Sequence, residues 1–508
     1  MSKMKIGLNV FADRVVKNDA ATNTVTDGGK LIDFAVCHVE GQNYTAEQSV
    51  ELAHTLADIF EKQDTDFITN FEYANWCENC IASDGTQWED KSDGCHRVKL
   101  PDEFVRALGE SKLFKGIMYD EFEHIITNRN PTIQIATKLR KIIPVFPLLK
   151  EKNALKQGEL LKEQLTKYAA SFKAQGAPAM LGEHVYPVFF HKFAESGITP
   201  NYKSLKENIS NIAFSMAAGA AMQYGLPLYN CIDNWYMLTN PGHSAEEMYH
   251  NLLFAYLAGV DCAYVESVLV MTDGDGKLTE HGEQFRRFCR EYKDKDRGYS
   301  IEDYRPEIGI IHYDDGFWGQ WYPVLFKKCL FGNPKIKPDF RSYELFRIFN
   351  ILTHGETCKN GISWGRFSPW SIVHHRHFSF VSMNSTAVFD HNADRKVLDS
   401  LKLCFLCGIH ISEKTLNEVR NCVKENGMTA VTPKRFAPAD IASKANGNVC
   451  EIEDGKGKWI VINSYRTGKL KNHVNNFLGK KGEMRLTFAD KEVVMKINEN
   501  RDSFSVTK

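Results

Sequence analysis

Three segments of this chain run from an apolar, strand-like stretch straight into a carboxylate: Gly116-Ile-Met-Tyr-Asp120-Glu121, Ala179-Met-Leu-Gly-Glu183-His184 and Cys262-Ala-Tyr-Val-Glu266. A carboxyl group in such a place can give a proton, take one, or attack an electrophilic carbon. Acidic residues after strands also serve as ordinary helix N-caps and first-turn partners of the helix dipole. Repetition and company favour the chemical reading. Tyr119, His124, His184, Tyr186, Trp235 and Tyr236 sit beside the same strand ends, and aromatic faces next to carboxylates suit a sugar ring.

Carboxylates brought to one rim by several strand ends are how a β/α barrel assembles an acid/base site, so the elements around them should alternate. Residues 1 to about 295 do so. The first strand is Lys5-Ile-Gly-Leu-Asn-Val10, and a helix opens at Thr45, where Thr45 and Gln48 form a capping-box pair. Then come the strand Asp66 to Glu72, a helix after Pro101, the strand ending at Asp120-Glu121, and a long polar helix around Leu155 to Phe172. After the Glu183 strand, a helix from about Ser204 to Tyr224 leads into Leu226-Pro-Leu-Tyr-Asn-Cys-Ile-Asp233. Ser244 and Glu247 cap the next helix reciprocally, and it runs into the Glu266 strand. Six strands are clear and two are weak, one near Leu31 to Val39 and one between Ile133 and Leu149; eight would close a barrel.

From Arg305-Pro-Glu-Ile-Gly-Ile-Ile-His312 the pattern begins again. Leu401 to Ser412 reads as a strand, Glu413 to Asn426 as a helix stopped by Gly427, and Met428 to Pro433 as the next strand, which describes a doubly wound unit. In the tail, Lys458-Trp-Ile-Val-Ile-Asn463, Glu483 to Phe488, Glu492 to Ile497 and Ser503 to Val506 alternate at period two. The expected architecture is an α/β (β/α)8 TIM barrel over 1–298, a flavodoxin-like α/β domain over 299–436, and a small antiparallel β-sandwich over 437–508.

That order resembles the family-42-type β-galactosidases and related retaining glycosidases of the large barrel clan. The similar stretches are Phe254 to Glu266 with Leu278 to Phe285, and Leu406 to Pro433. The resemblance implies a glycoside hydrolase acting on a β-linked sugar or oligosaccharide, needing no redox cofactor and assembling as a homo-oligomer. It departs from that clan in two places. The pair closing the expected fourth strand reads Asp120-Glu121 where the clan has Asn-Glu, and the segment expected as seventh ends in Asp233, not Glu. Hydrolysis needs one acid to protonate the leaving oxygen and one carboxylate to attack the anomeric carbon or activate water. Glu121 is the candidate acid, because Asp120 beside it would help raise its pKa by like-charge repulsion and Tyr119 with His124 could order it. Glu183 leads as nucleophile or base, with His184 and Tyr186 to orient it; Glu266 and Asp233 are rivals. Glu72, Trp76, Asn234 and Trp235 are expected to bind hydroxyls or stack on a ring.

A second constellation, Cys77-Glu-Asn-Cys80 with Cys95-His96, offers four soft ligands near the spacing of a structural zinc knuckle. Against it, neighbours such as Cys95 and His96 rarely both reach one ion. The strip His374-His375-Arg-His377 could hold a metal but reads better as a packed interdomain or subunit surface, and Asp273-Gly-Asp-Gly, which lacks the further oxygen ligands and distal Glu of a calcium loop, as a turn.

Lys plus Arg numbers 63 and Asp plus Glu 64 in 508 residues, with no long block of either sign, which argues against nucleic acid or an anionic membrane as partner. No apolar segment approaches the ~20 residues of a membrane span. The N-terminus lacks the apolar run of a signal peptide, so the expectation is a cytoplasmic protein unless a signal was removed. Thirteen cysteines, several inside strand and helix patterns, point to reduced thiols. Two rival functions fit the same residues: another carboxylate-dependent barrel enzyme, such as a lyase or transglycosidase, and a barrel that binds carbohydrate without chemistry.

Overall fold

The structure is a computed structural model that describes residues 2–39, 46–71, 89–90, 97–98, 102–119, 151–184, 189–205, 209–234, 243–315, 330–331, 333, 335–357 and 379–507. Eight parallel strands close into a barrel: β1 (Lys5–Phe11), β2 (Phe34–His38), β3 (Asp66–Asn70), β4 (Phe114–Tyr119), β5 (Met180–His184), β6 (Thr199–Leu205), β7 (Tyr229–Asp233) and β8 (Cys262–Glu266). They pair in chain order, and β8 returns to β1 through Lys5↔Cys262 to Leu8↔Val265.

A strand covered on both faces can be apolar on both, as β2 is. Phe34 and Val36 of β2 join Ile68, Met118, Leu181, Cys231, Cys262 and Tyr264 in the barrel interior, while Ala35 and Cys37 between them face the outer core. The weak strand near Leu31 to Val39 is therefore real, as β2. The other weak candidate, Ile133 to Leu149, lies outside the described residues, and the strand that completes the barrel is β6, Thr199-Pro-Asn-Tyr-Lys-Ser-Leu205. Its inward positions are polar, and it carries Pro200, which a parallel strand tolerates at its start. Those features hid it, and the helix expected from Ser204 begins at Ser210 instead.

Helix Ser210–Tyr224 joins the barrel to the rest of the molecule. Its Phe214 ring lies 6.2 Å from Tyr202 of β6. On its other side it meets the strand β10 (Thr386–Phe389) so closely that a Cβ on Gly219 would sit 1.7 Å from the Val388 carbonyl oxygen. Helix Ala245–Leu257 also bridges. Ser244 caps it by accepting from the Glu247 N–H at 3.1 Å, but Glu247 does not return the bond; its carboxylate accepts from Ser379 at 2.7 Å and pairs with His243 at 2.9 Å. The Thr45 cap lies outside the described residues.

Beyond the barrel, β9 (Ile308–His312), β10, β11 (Leu403–Cys407), β12 (Thr429–Pro433) and β14 (Gly457–Ile462) form a parallel sheet in the order β10-β9-β11-β12-β14, with β13 (Val449–Asp454) antiparallel on its edge. Helix Glu413–Asn426 ends at Gly427 with φ +77°, a left-handed stop that glycine adopts without strain. The strand Lys458 to Asn463, expected in a sandwich, thus belongs to this second sheet. It is buried on both faces, with Trp459 fully enclosed, which its alternation did not reveal. The remaining tail strands, β15 (Glu483–Thr487), β16 (Glu492–Ile497) and β17 (Phe504–Thr507), make one three-stranded antiparallel sheet, and no sandwich forms among the described residues. Cys37, Cys231, Cys262, Cys404 and Cys422 are free and buried. Among the described residues no helix is long and apolar enough to cross a membrane.

Candidate active site

At the carboxyl ends of β5 to β8 the interior side chains stop being apolar. One layer down they are Leu181, Cys231 and Tyr264; at the rim they are Glu183, Lys203, Asp233 and Glu266. Inward and outward positions alternate along a strand, so residues two apart share the barrel lumen. The Lys203 ammonium lies 3.3 Å from Glu183 Oε1, 2.9 Å from Asp233 Oδ2 and 3.3 Å from Glu266 Oε2. Lys203, Glu183 and Asp233 are each 1% exposed at the side chain, whereas Glu266 is 15% exposed.

Each acid has further support. The Tyr264 hydroxyl donates to Glu183 Oε2 at 2.7 Å and accepts from the Asn201 amide at 2.9 Å. The Cys231 thiol donates to Glu266 Oε2 at 3.4 Å. Burial first, then the Glu183 and Glu266 carboxylates, hold that thiol well above its usual pKa, so it stays protonated. Glu183, Cys231 and Glu266 present their ligand atoms within 4.8 Å of one another, a spacing that suits a metal ion. In this arrangement the Lys203 ammonium stands among the same acids.

Across the lumen, the ends of β1, β2 and β3 carry amides and an imidazole. Asn9 hydrogen-bonds His38 Nε2, and the Asn70 amide approaches the same atom at 3.0 Å. All three side chains are buried, and the Oδ1 atoms of Asn9 and Asn70 have no partner. The Phe11 ring lies 5.4 Å from the His38 ring. The sequence reading missed these residues and Lys203 because it looked for acids. For Asn9, His38 and Asn70 the signal was present, since each stands two residues beyond Gly7, Val36 or Ile68, whereas Lys203 follows the polar Asn201.

The structure brings Glu183, Glu266 and Asp233 together. Asn234 is buried next to Asp233, and its N–H donates to the Glu266 carbonyl at 2.9 Å. His184 is described in its backbone alone, paired with Tyr202. Glu72, Trp76, Cys77, Cys80, Cys95, His96, Asp120, Glu121, His124, Tyr186 and Trp235 lie outside the described residues, as does the histidine strip at 374–377.

No protein-family model matches this sequence, and no curated protein matches it. Solved structures similar in fold include the exo-β-1,4-mannosidase Op5Man5 from Opitutaceae bacterium strain TAV5, at 9% identity with a TM-score of 0.51, covering 93% of this chain and 94% of that one. An apo GH42 exo-carrageenase from Bacteroides ovatus is similar at 10% identity and TM-score 0.44, covering 98% and 73%. The catalytic domain of a β-amylase from Paenibacillus polymyxa is similar at 8% identity and TM-score 0.38, covering 57% and 99%. The likeness to the mannosidase is one of fold, and it extends past the barrel into the second sheet.

Proposed function

We propose that this chain is a glycoside hydrolase acting on a β-linked sugar or short oligosaccharide, with Glu266 as the attacking carboxylate and Glu121 as the proton donor. The observation that carries the reading is the convergence of Glu183, Asp233 and Glu266, from three strands, on the carboxyl-end rim of a closed barrel. Glu266 is the most exposed of the three and is held beside a cation, which favours the ionised form that attack requires. Glu183 and Glu266 each bring a carboxylate oxygen within 4.8 Å of the other's. The choice of Glu121 rests on its sequence position: it follows Tyr119, and Tyr119 pairs with Gly182, one residue before Glu183.

In this reading Glu121 protonates the leaving oxygen while a Glu266 oxygen attacks the anomeric carbon, giving a glycosyl ester. Water, deprotonated by the Glu121 carboxylate, then releases the sugar with retained configuration. The parallel order β10-β9-β11-β12-β14 supports a flavodoxin-like reading of the second sheet, a matter of fold that assigns it no activity.

A second reading draws on the buried lysine, since a lysine on a barrel strand can form a Schiff base with a carbonyl substrate in a lyase. That role requires a neutral amine, and three carboxylates around Lys203 oppose it. A panel of chromogenic aryl β-glycosides separates the readings. The wild type should release the aglycone, and E266Q and E121Q should each lose on the order of 10²–10⁴-fold in kcat. Wild-type turnover in both variants, or no hydrolysis of any β-glycoside, would sink the proposal.

A further inference from the structure

Among the described residues of the barrel rim, three carboxylates meet around the Lys203 ammonium. Among the described residues, the groups around Lys203 are Glu183 from β5, Cys231 and Asp233 from β7, and Glu266 from β8, with the Tyr264 hydroxyl on Glu183. A position that only filled the lumen would carry a branched apolar side chain, as Val36, Ile68 and Leu181 do one layer below. Replacing such an ion cluster with apolar groups would often be neutral or stabilising, so folding alone does not call for it.

We propose that Lys203 is a positioning residue of this site: its ammonium gathers Glu183, Asp233 and Glu266 about one point and lets Glu266 stand as a carboxylate in a buried mouth. The inference rests on the glycosidase reading for its kinetic consequence, but not for its electrostatic one. With the lysine gone, three acids within a few ångströms of one another, shielded from water, cannot all ionise, and at least one keeps its proton at neutral pH. Attack by Glu266 is then confined to higher pH.

The test uses the full chain with K203M, which keeps the length without the charge, and K203R, which keeps the charge. Difference infrared spectra at neutral pH should show a protonated-carboxyl band in K203M that wild type and K203R lack. The acid limb of the kcat/KM profile should move up by about 1–3 pH units in K203M, with kcat falling more than KM changes, and should return toward wild type in K203R. Absence of the new band together with an unmoved limb overturns the proposal. Borohydride trapping of a carbonyl compound on Lys203 overturns it as well. Should K203M fold poorly, K203M/D233N removes one of the charges the lysine balances and should melt above K203M; melting at or below it counts against the proposal. If the wild type hydrolyses no glycoside, the functional reading fails while the infrared arm still decides the role of Lys203.

Discussion

At the scale of single residues, the candidate site is a buried polar network in which each member relies on its neighbours. Tyr264 shows this best. Its ring belongs to the apolar interior with Phe34, 6.1 Å away, while its hydroxyl reaches up to the Glu183 carboxylate. A hydrogen bond to a charged group contributes roughly 1.5–3 kcal/mol, so Tyr264→Phe should lower stability by about that much in chemical denaturation. The Asn201 amide loses its phenolic acceptor in the same variant. A loss near zero would mean that Glu183 is held by Lys203 alone. Breaking a buried ion pair from one side is costlier still, at roughly 3–5 kcal/mol, because the remaining charge is stranded.

At the scale of elements, the strand ends divide the labour. β5 to β8 supply charge, and β1 to β3 supply amides and an imidazole, so a ligand in the mouth would meet carboxylates and an ammonium on one side and Asn9, His38 and Asn70 on the other. Helix Ser210–Tyr224 fixes the second sheet against this barrel. Gln223 donates to Asp390 at 2.6 Å and accepts from the Asp390 N–H at 3.0 Å, and Tyr224 bonds the same carboxylate. Gly219 is what lets the helix lie against the β10 backbone. Gly219→Val should therefore push helix and strand apart at a cost of about 1–3 kcal/mol or more, read as a lower melting temperature. Unchanged melting in that variant would show that the two units do not pack as described.

At the scale of the whole molecule, the junction between barrel and second sheet is rich in buried ionisable groups. Asp314, just past β9, accepts from the N–H groups of Phe189, His191 and Lys192 and so caps a barrel helix from outside. Burial pushes His312 down to about 3 and His391 down to about 4, from an ordinary value near 6.5. Both imidazoles are neutral in the folded protein at neutral pH. Between those values and 6.5 the unfolded chain binds more protons than the folded one, so stability rises with pH across that window and falls as the solution is acidified. Melting followed from pH 7 to 4 should decline, and His312→Leu should flatten the decline. An equally steep acid limb in that variant would place the sensitivity elsewhere.

The barrel was legible from the sequence where strands are short, largely apolar runs and helices show caps and glycine stops, as at β1, β8 and helix Glu413–Asn426. Local propensity and burial govern such segments, and both are written along the chain. The carboxylates at the ends of β5, β7 and β8 were legible as well, because a charge directly after an apolar run stands out. Other features were decided only in three dimensions. β6 reads as polar because its inward positions face the site, and Gly457–Ile462 joins the second sheet because its partner β12 is the preceding parallel strand. Lys203 gains its meaning only from acids on three other strands, 20 to 63 residues away in sequence. A residue's type and its neighbours in sequence set what chemistry it can do; barrel closure sets which distant charges it meets, and those determine whether it stays charged.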